Sequence, residues 1–80
     1  MTDAITTLNE ASENDRCLIC GVDDSLPVKG RLTELGFYEG AVIERLQVGS
    51  FGSPIACRVS GAVIAVRSSD AGKISVKVLR

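Results

Sequence analysis

Cys17-Leu18-Ile19-Cys20 is the segment of this chain that most resembles a chemical site. Two thiolates separated by two residues can share one metal ion, and that spacing recurs in structural zinc centres. A closed tetrahedral centre needs four ligands, however, and the sequence offers only one further cysteine, Cys57. On an extended strand, residues three apart also point to opposite faces. The pair therefore reads first as two strand cysteines. Metal: none is the expectation, with Cys17 and Cys20 as the weak candidates for ferrous iron or zinc, shared through a dimer, or for redox chemistry. Three cysteines, an odd number, make no disulfide framework. Cys57 reads as a small apolar core residue. Asp23-Asp24 together with Glu34 or Glu39 could attract a hard cation, but helix capping and solvated surface charge account for them more simply.

Catalytic constellations are otherwise missing from the sequence. There is no histidine, which removes the commonest general base and every Ser-His or Cys-His nucleophile pair within the chain. The glycines form neither a G-x-G-x-x-G nor a G-K-[ST] phosphate loop. Carboxylates are scattered rather than paired. The chain is expected not to be an enzyme.

The residues that would carry function must sit on a small scaffold. Eighty residues make one domain, 1–80, and a chain of that size buries only about 60% of the surface its unfolded form exposes. A deep substrate cleft does not fit such a body. With one Tyr, two Phe, one Met and no Trp, the core has to be filled by Val, Ile, Leu and Ala, a bias that leans toward strands. Nine basic residues against ten acidic give a net charge of −1. That balance disfavours nucleic acid, whose binding relies on basic excess and stacking aromatics. It equally disfavours an anionic membrane surface. The longest apolar runs, Cys17 to Cys20 and Ala62 to Val66, are strand-sized, far below the roughly 20 residues of a membrane span. With Asp3 and no basic cluster ahead of an apolar stretch, no secretory signal is expected, so the localisation expected is cytoplasmic.

Periodicity gives the elements. Residues 1–15 are polar, a flexible lead-in or a short helical turn near Thr7 to Ala11, with Thr7 as its cap and Leu8 and Ala11 as anchors. Asn14 and Asp15 read as a turn. Arg16 to Val22 is a strand. A helix follows, capped by Asp24 or Ser25, with Pro27 in its first turn and Val28, Leu32 and Leu35 on one inward face. Gly36 stands where a helix ends in a left-handed residue. Ala41 to Val48 is a strand with Val42, Leu46 and Val48 on one face, interrupted by Glu44. Gly49 to Pro54 is a turn-rich connection. Ile55, Cys57 and Val59 alternate with Ala56, Arg58 and Ser60. Gly61 turns the chain into Ala62 to Val66, an apolar run suited to a strand buried on both sides. Ser68 or Ser69 caps a short helical turn through Lys73, with Asp70 in its first turn. Ile74, Val76 and Val78 form the last strand. The fold class is mainly β: a small closed barrel of about five strands, with one inserted helix and a short C-terminal helical turn.

Three motifs in order then carry a family resemblance. Arg31-Leu32-Thr33-Glu34-Leu35-Gly36, followed by Gly40, matches an R-L-x-E-L-G signature. Gly52-Ser53-Pro54-Ile55 matches a G-D-P-[I/L] turn, with serine in place of the usual aspartate. Ile64-Ala65-Val66-Arg67, then Ala71 and Ile74-Ser75-Val76, matches an ending in which Asp70 replaces the usual glutamate. Together they cover Arg31 to Val78 and resemble the ferrous iron transport protein A (FeoA) family. The Cys17/Cys20 pair lies outside that pattern. The resemblance implies an SH3-like β-barrel and a cytosolic accessory or regulatory role in bacterial ferrous iron uptake. It also implies docking onto the membrane GTPase that carries the iron (FeoB), without direct membrane insertion. Related domains end metal-dependent repressors, but a repressor role here would need a DNA-binding part from another polypeptide. Within the motifs, Leu32, Leu35, Gly36, Gly40, Gly52, Pro54, Arg67 and Ala71 are the structural positions. Arg67 is expected to reach a carboxylate or to cap the short helix after it. Arg31, Glu34, Phe37 and Tyr38 are the partner-binding candidates, since Arg and aromatic residues commonly anchor interfaces. An even alternative for Phe37 is that it plugs one end of the barrel while Tyr38 alone reaches solvent. The functional alternative is a transition-metal-binding or metal-sensing SH3-like module using Cys17 and Cys20.

Overall fold

The computed structural model describes residues 5–46 and 54–79. Six strands follow the alternation of apolar residues: β1 (Ile5–Thr7), β2 (Arg16–Val22), β3 (Val42–Arg45), β4 (Ile55–Val59), β5 (Ala62–Val66) and β6 (Ile74–Leu79). All pairings are antiparallel, and the ladder runs β1-β6-β2-β3-β4-β5. Two helices join it, α1 (Lys29–Leu35) and α2 (Ser68–Ala71), with a 3-10 turn at Leu8–Glu10.

One face of every long strand turns into a common core. Cys17 and Ile19 of β2, Ile43 of β3, Ile55, Cys57 and Val59 of β4, Val66 of β5, and Ile74 and Val76 of β6 are all buried. Each fully buried aliphatic side chain contributes about 1.5–3 kcal/mol relative to exposure. Leu8 and Ala11 close the core from the 3-10 turn, and Leu32 and Phe37 close it from α1 and its exit.

Several expectations change in the structure. The sheet has six strands rather than about five, because Ile5–Thr7 pairs with β6 in register Ile5↔Lys77 and Thr7↔Ser75. Among the described residues no ladder joins β5 to β1, so both remain edges instead of closing a ring. The phase of β3 is the reverse of the hydropathy reading. Ile43 and Arg45 point inward, while Val42 is exposed. Hydropathy misleads there because the inward position after Ile43 is an arginine. Far from being buried on both sides, β5 is a terminal strand, with Val63 59% exposed. Val48, Phe51, Gly52 and Ser53, including the Gly52 motif position, lie outside the described residues; Pro54 stands exposed just before β4.

Turn chemistry sets the register. Ser60 (φ 51°) and Gly61 (φ 84°) both adopt left-handed geometry between the paired residues Val59 and Ala62. That is the two-residue hairpin loop whose twist matches its flanking strands. On β2 the register against β6 shifts between Ile19 and Gly21, a bulge that bends the strand as it leaves for α1.

Candidate docking surface around the inserted helix

The segment leading into α1 is fixed by an aspartate turn and not by the expected cap. The Asp23 carboxylate accepts from the Ser25 backbone N–H (2.8 Å) and the Ser25 hydroxyl (2.7 Å). Those bonds hold the Asp23 carboxyl below its ordinary range. Val28 occupies the N-cap position and no side chain caps the helix there. Pro27 belongs to the turn before α1 and not to its first turn. Lys29 pairs with Asp24 across this entry.

The exit is more constrained. The Phe37 N–H donates to the Leu32 carbonyl (2.8 Å) and the Gly36 N–H to the Thr33 carbonyl (3.1 Å). This is the paired C-terminal motif that satisfies the last carbonyls of a helix. Gly36 has φ 116°, and a Cβ there would stand 2.4 Å from Val59 Cγ1. Gly40, at φ 94°, donates its N–H to the Ile19 carbonyl (2.9 Å), and Ile19 donates to the Ala41 carbonyl (2.8 Å). Two motif glycines thus bracket the loop and fix it against β4 and β2.

This geometry divides the four candidate residues. Arg31, Glu34 and Tyr38 are exposed, Tyr38 at 52%. Phe37 has 0% exposure and is the plug of the alternative reading, not a surface anchor. It is drawn inside because its own N–H closes the helix-terminal motif over Leu32. Of the apolar stripe, only Leu32 packs inward. Val28 and Leu35 are partly exposed, since a seven-residue helix sets a single position over the core.

The exposed residues lie on two sides of α1. On one side, Tyr38, Glu39, Lys29 and Thr33 border a cavity of about 340 Å³ that reaches Gly21 and Val22 of β2. On the other, Val28, Arg31 and Leu35 face Ile64 to Arg67 and Asp70 across a groove of about 290 Å³. Arg67 stands at the N-cap of α2 through its main chain, its carbonyl accepting from the Ala71 N–H (2.9 Å). The carboxylate partner expected for it is not found. Among the described residues no carboxylate pairs with Arg31 or Arg67. Ala71 is fully buried.

Cys17 and Cys57 lie close enough to act on each other electrostatically, without forming part of a larger ligand group among the described residues. Cys17 and Cys57 are buried, and Cys20 is half-buried, its thiol donating to the Leu18 carbonyl at 3.7 Å. Burial pushes both the Cys17 and Cys57 thiols up to about 11. Neutral thiols are poor metal ligands. Among the described residues no group of three or more Cys, Asp or Glu gathers as a ligand set. No helix among them is long and apolar enough to cross a membrane.

The described residues form a mainly β, SH3-like body that presents a short helix between two grooves. Comparison with known proteins gives its family. The FeoA domain profile matches residues 6–78, and the chain belongs to the FeoA family, which is associated with ferrous iron transport. A FeoA-like protein from Clostridium acetobutylicum is 29% identical and superposes with a TM-score of 0.85, covering 100% of this chain and 92% of that one. FeoA from Chlorobium tepidum is 29% identical at TM-score 0.85, covering 94% and 71%. Stenotrophomonas maltophilia FeoA is 28% identical at TM-score 0.77, covering 89% and 88%. It is described as a prokaryotic SH3 domain protein complexed with zinc, possibly acting as a ferrous iron transport activating factor. A search of the curated proteins finds no match.

Proposed function

We propose that this chain is a cytoplasmic accessory protein of ferrous iron uptake that docks reversibly onto the membrane GTPase transporter and is not an enzyme. The observation that carries the reading is the rigid presentation of α1. Its two ends are locked by turns, while Arg31, Glu34 and Tyr38 stand free on a body of the FeoA family. A docking protein of this kind acts by binding one state of its partner more tightly than another, which shifts the partner's GTPase or gating equilibrium. The test is capture of the purified full-length transporter by this protein with GDP, with a GTP analogue and without nucleotide. Recovery should depend on nucleotide state; no recovery in any state would refute the proposal.

A second reading, metal binding through Cys17 and Cys20, draws on the zinc found with the Stenotrophomonas protein. It stands lower, because Cys17 is a buried thiol held neutral at physiological pH. Titration of zinc and ferrous ions into reduced protein, beside a Cys17→Ser, Cys20→Ser double variant, tests it. Equal affinity in the two proteins would dispose of it.

A further inference from the structure

We infer that the groove between α1 and the free edge of β5 receives an extended segment of a partner polypeptide in which acidic side chains alternate with apolar ones. The inference rests on the docking reading above and assigns it a surface. A strand at the end of a sheet leaves a row of main-chain donors and acceptors unpaired. In the β4–β5 hairpin the two-residue loop makes Val59 and Ala62 the closing hydrogen-bonded pair. Alternation then turns the main-chain groups of Ile64 and Val66 toward β4, and those of Val63 and Ala65 away from it. Among the described residues no other strand or loop bonds those outward groups.

Proteins normally blunt such an edge with charge, proline or a bulge. Here its residues are Ala, Val, Ile, Ala and Val, with Val63 and Ala65 exposed. Across the groove, Val28 and Leu35 are the partly exposed apolar residues of α1. The apolar lining selects a peptide whose alternate side chains are apolar, while the edge supplies main-chain hydrogen bonds, the mode known as β-augmentation.

Charge selects the remaining side chains. Arg31 and Arg67 both line this groove, both are exposed, and neither has a carboxylate partner among the described residues. The one acidic residue at the groove, Asp70, lies in the first turn of α2, where negative charge suits the helix. Two free guanidinium groups beside an apolar edge recognise carboxylates spaced along an extended chain.

The experiment titrates the full chain into a short fluorescein-labelled peptide alternating glutamate with valine, and into its lysine–valine counterpart. Fluorescence anisotropy gives affinity, and backbone amide NMR shifts give the location. The glutamate peptide should bind and move the amides of Val63, Ala65 and Arg67. The lysine peptide should bind at least about tenfold more weakly. Ala65→Pro removes one outward N–H without touching the β4 ladder and should weaken binding about tenfold. Arg31→Glu with Arg67→Glu, both on the surface, should do the same and favour the lysine peptide. Equal binding of the two peptides, no binding, or shifts centred on Tyr38 would overturn the inference. So would a concentration-dependent dimer that Ala65→Pro dissolves, since the edge would then belong to a second copy. In transporter capture, loss in the Ala65→Pro and double-arginine variants supports this surface. Capture undiminished in both overturns it and leaves docking intact. If the wild-type chain captures nothing, the docking reading fails and the peptide titration alone decides the edge.

Discussion

Gly36 lies against Val59, so close that a single added carbon would stand 2.4 Å from the valine Cγ1. The left-handed φ of 116° that ends α1 and the depth of β4 in the core are therefore coupled. Gly36→Ala should cost about 2–4 kcal/mol, from backbone strain and a collision with a core side chain that cannot move freely. Val59→Ala in the same chain relieves the collision but not the strain, so the two costs should not add. Urea unfolding of the three variants measures this. An unchanged midpoint for Gly36→Ala would show that the helix exit is not held where it is described.

Adjacent aromatic residues should separate stability from binding. Phe37 is fully buried, whereas Tyr38 faces solvent beside α1. Removing a buried phenyl ring costs about 3–5 kcal/mol, a large share of the 5–15 kcal/mol that holds a typical domain together. Phe37→Leu, a gentler change, should lower the melting temperature while leaving transporter capture intact in the folded fraction. Tyr38→Ala should change stability by no more than about 0.5 kcal/mol. It should weaken capture if the partner spans both sides of the helix. The reverse pattern, stable Phe37→Leu and unstable Tyr38→Ala, would contradict the assignment.

Much of the scaffold is legible because β2 is a short apolar run and the inward positions of β4 and β6 alternate with Arg58, Ser75 and Lys77. The helix exit was legible because Gly36 and Gly40 occupy positive-φ positions. What escaped has physical causes. β1 reads Ile-Thr-Thr, with Ile5 exposed, and is held by pairing to β6, which leaves no periodic trace. Hydropathy misplaces the phase of β3 because Arg45 points inward, 7% exposed, with no hydrogen-bond partner for its Nε among the described residues. β5 reads as doubly buried because it is apolar on both faces; in the structure the face carrying Val63 is exposed, and the strand is also the last in the ladder. At the candidate surface, sequence marked Arg31, Glu34 and Tyr38. It had no means of bringing Arg31 and Arg67 to one groove, since 36 positions and the three strands β3, β4 and β5 separate them.

The hairpin at Ser60-Gly61 offers a test of turn geometry independent of the core. Both residues have positive φ, yet only Gly61 adopts it without cost. Asparagine tolerates the left-handed region better than serine, and Asn-Gly is the preferred pair for this loop. Ser60→Asn should therefore stabilise the protein by about 0.5 kcal/mol, and Gly61→Ala should destabilise it by about 1 kcal/mol. Thermal melts resolve both. A destabilising Ser60→Asn would mean that the loop is not of this type.

Alkaline pH should expose the buried thiols. Desolvation raises Cys17 and Cys57 from their ordinary 9.0 to about 11; Asp15 adds to it at Cys17 and Cys17 adds to it at Cys57, while the Arg45 guanidinium acts in the opposite direction on both. The folded chain thus keeps protons that the unfolded chain releases. The stabilisation is fully present below about pH 9 and is lost as pH climbs toward about 11. Stability measured against pH should fall across that window in the wild type, and less steeply in a Cys17→Ala, Cys57→Ala double variant despite its lower stability at neutral pH. Arg45→Met carries the argument one step further. Removing a buried guanidinium whose Nε has no partner among the described residues should be neutral or stabilising at neutral pH. It should also move the thiol ionisation, followed by ultraviolet absorbance of the thiolate, to still higher pH. A downward shift would mean that the guanidinium does not act on these sulfurs at all.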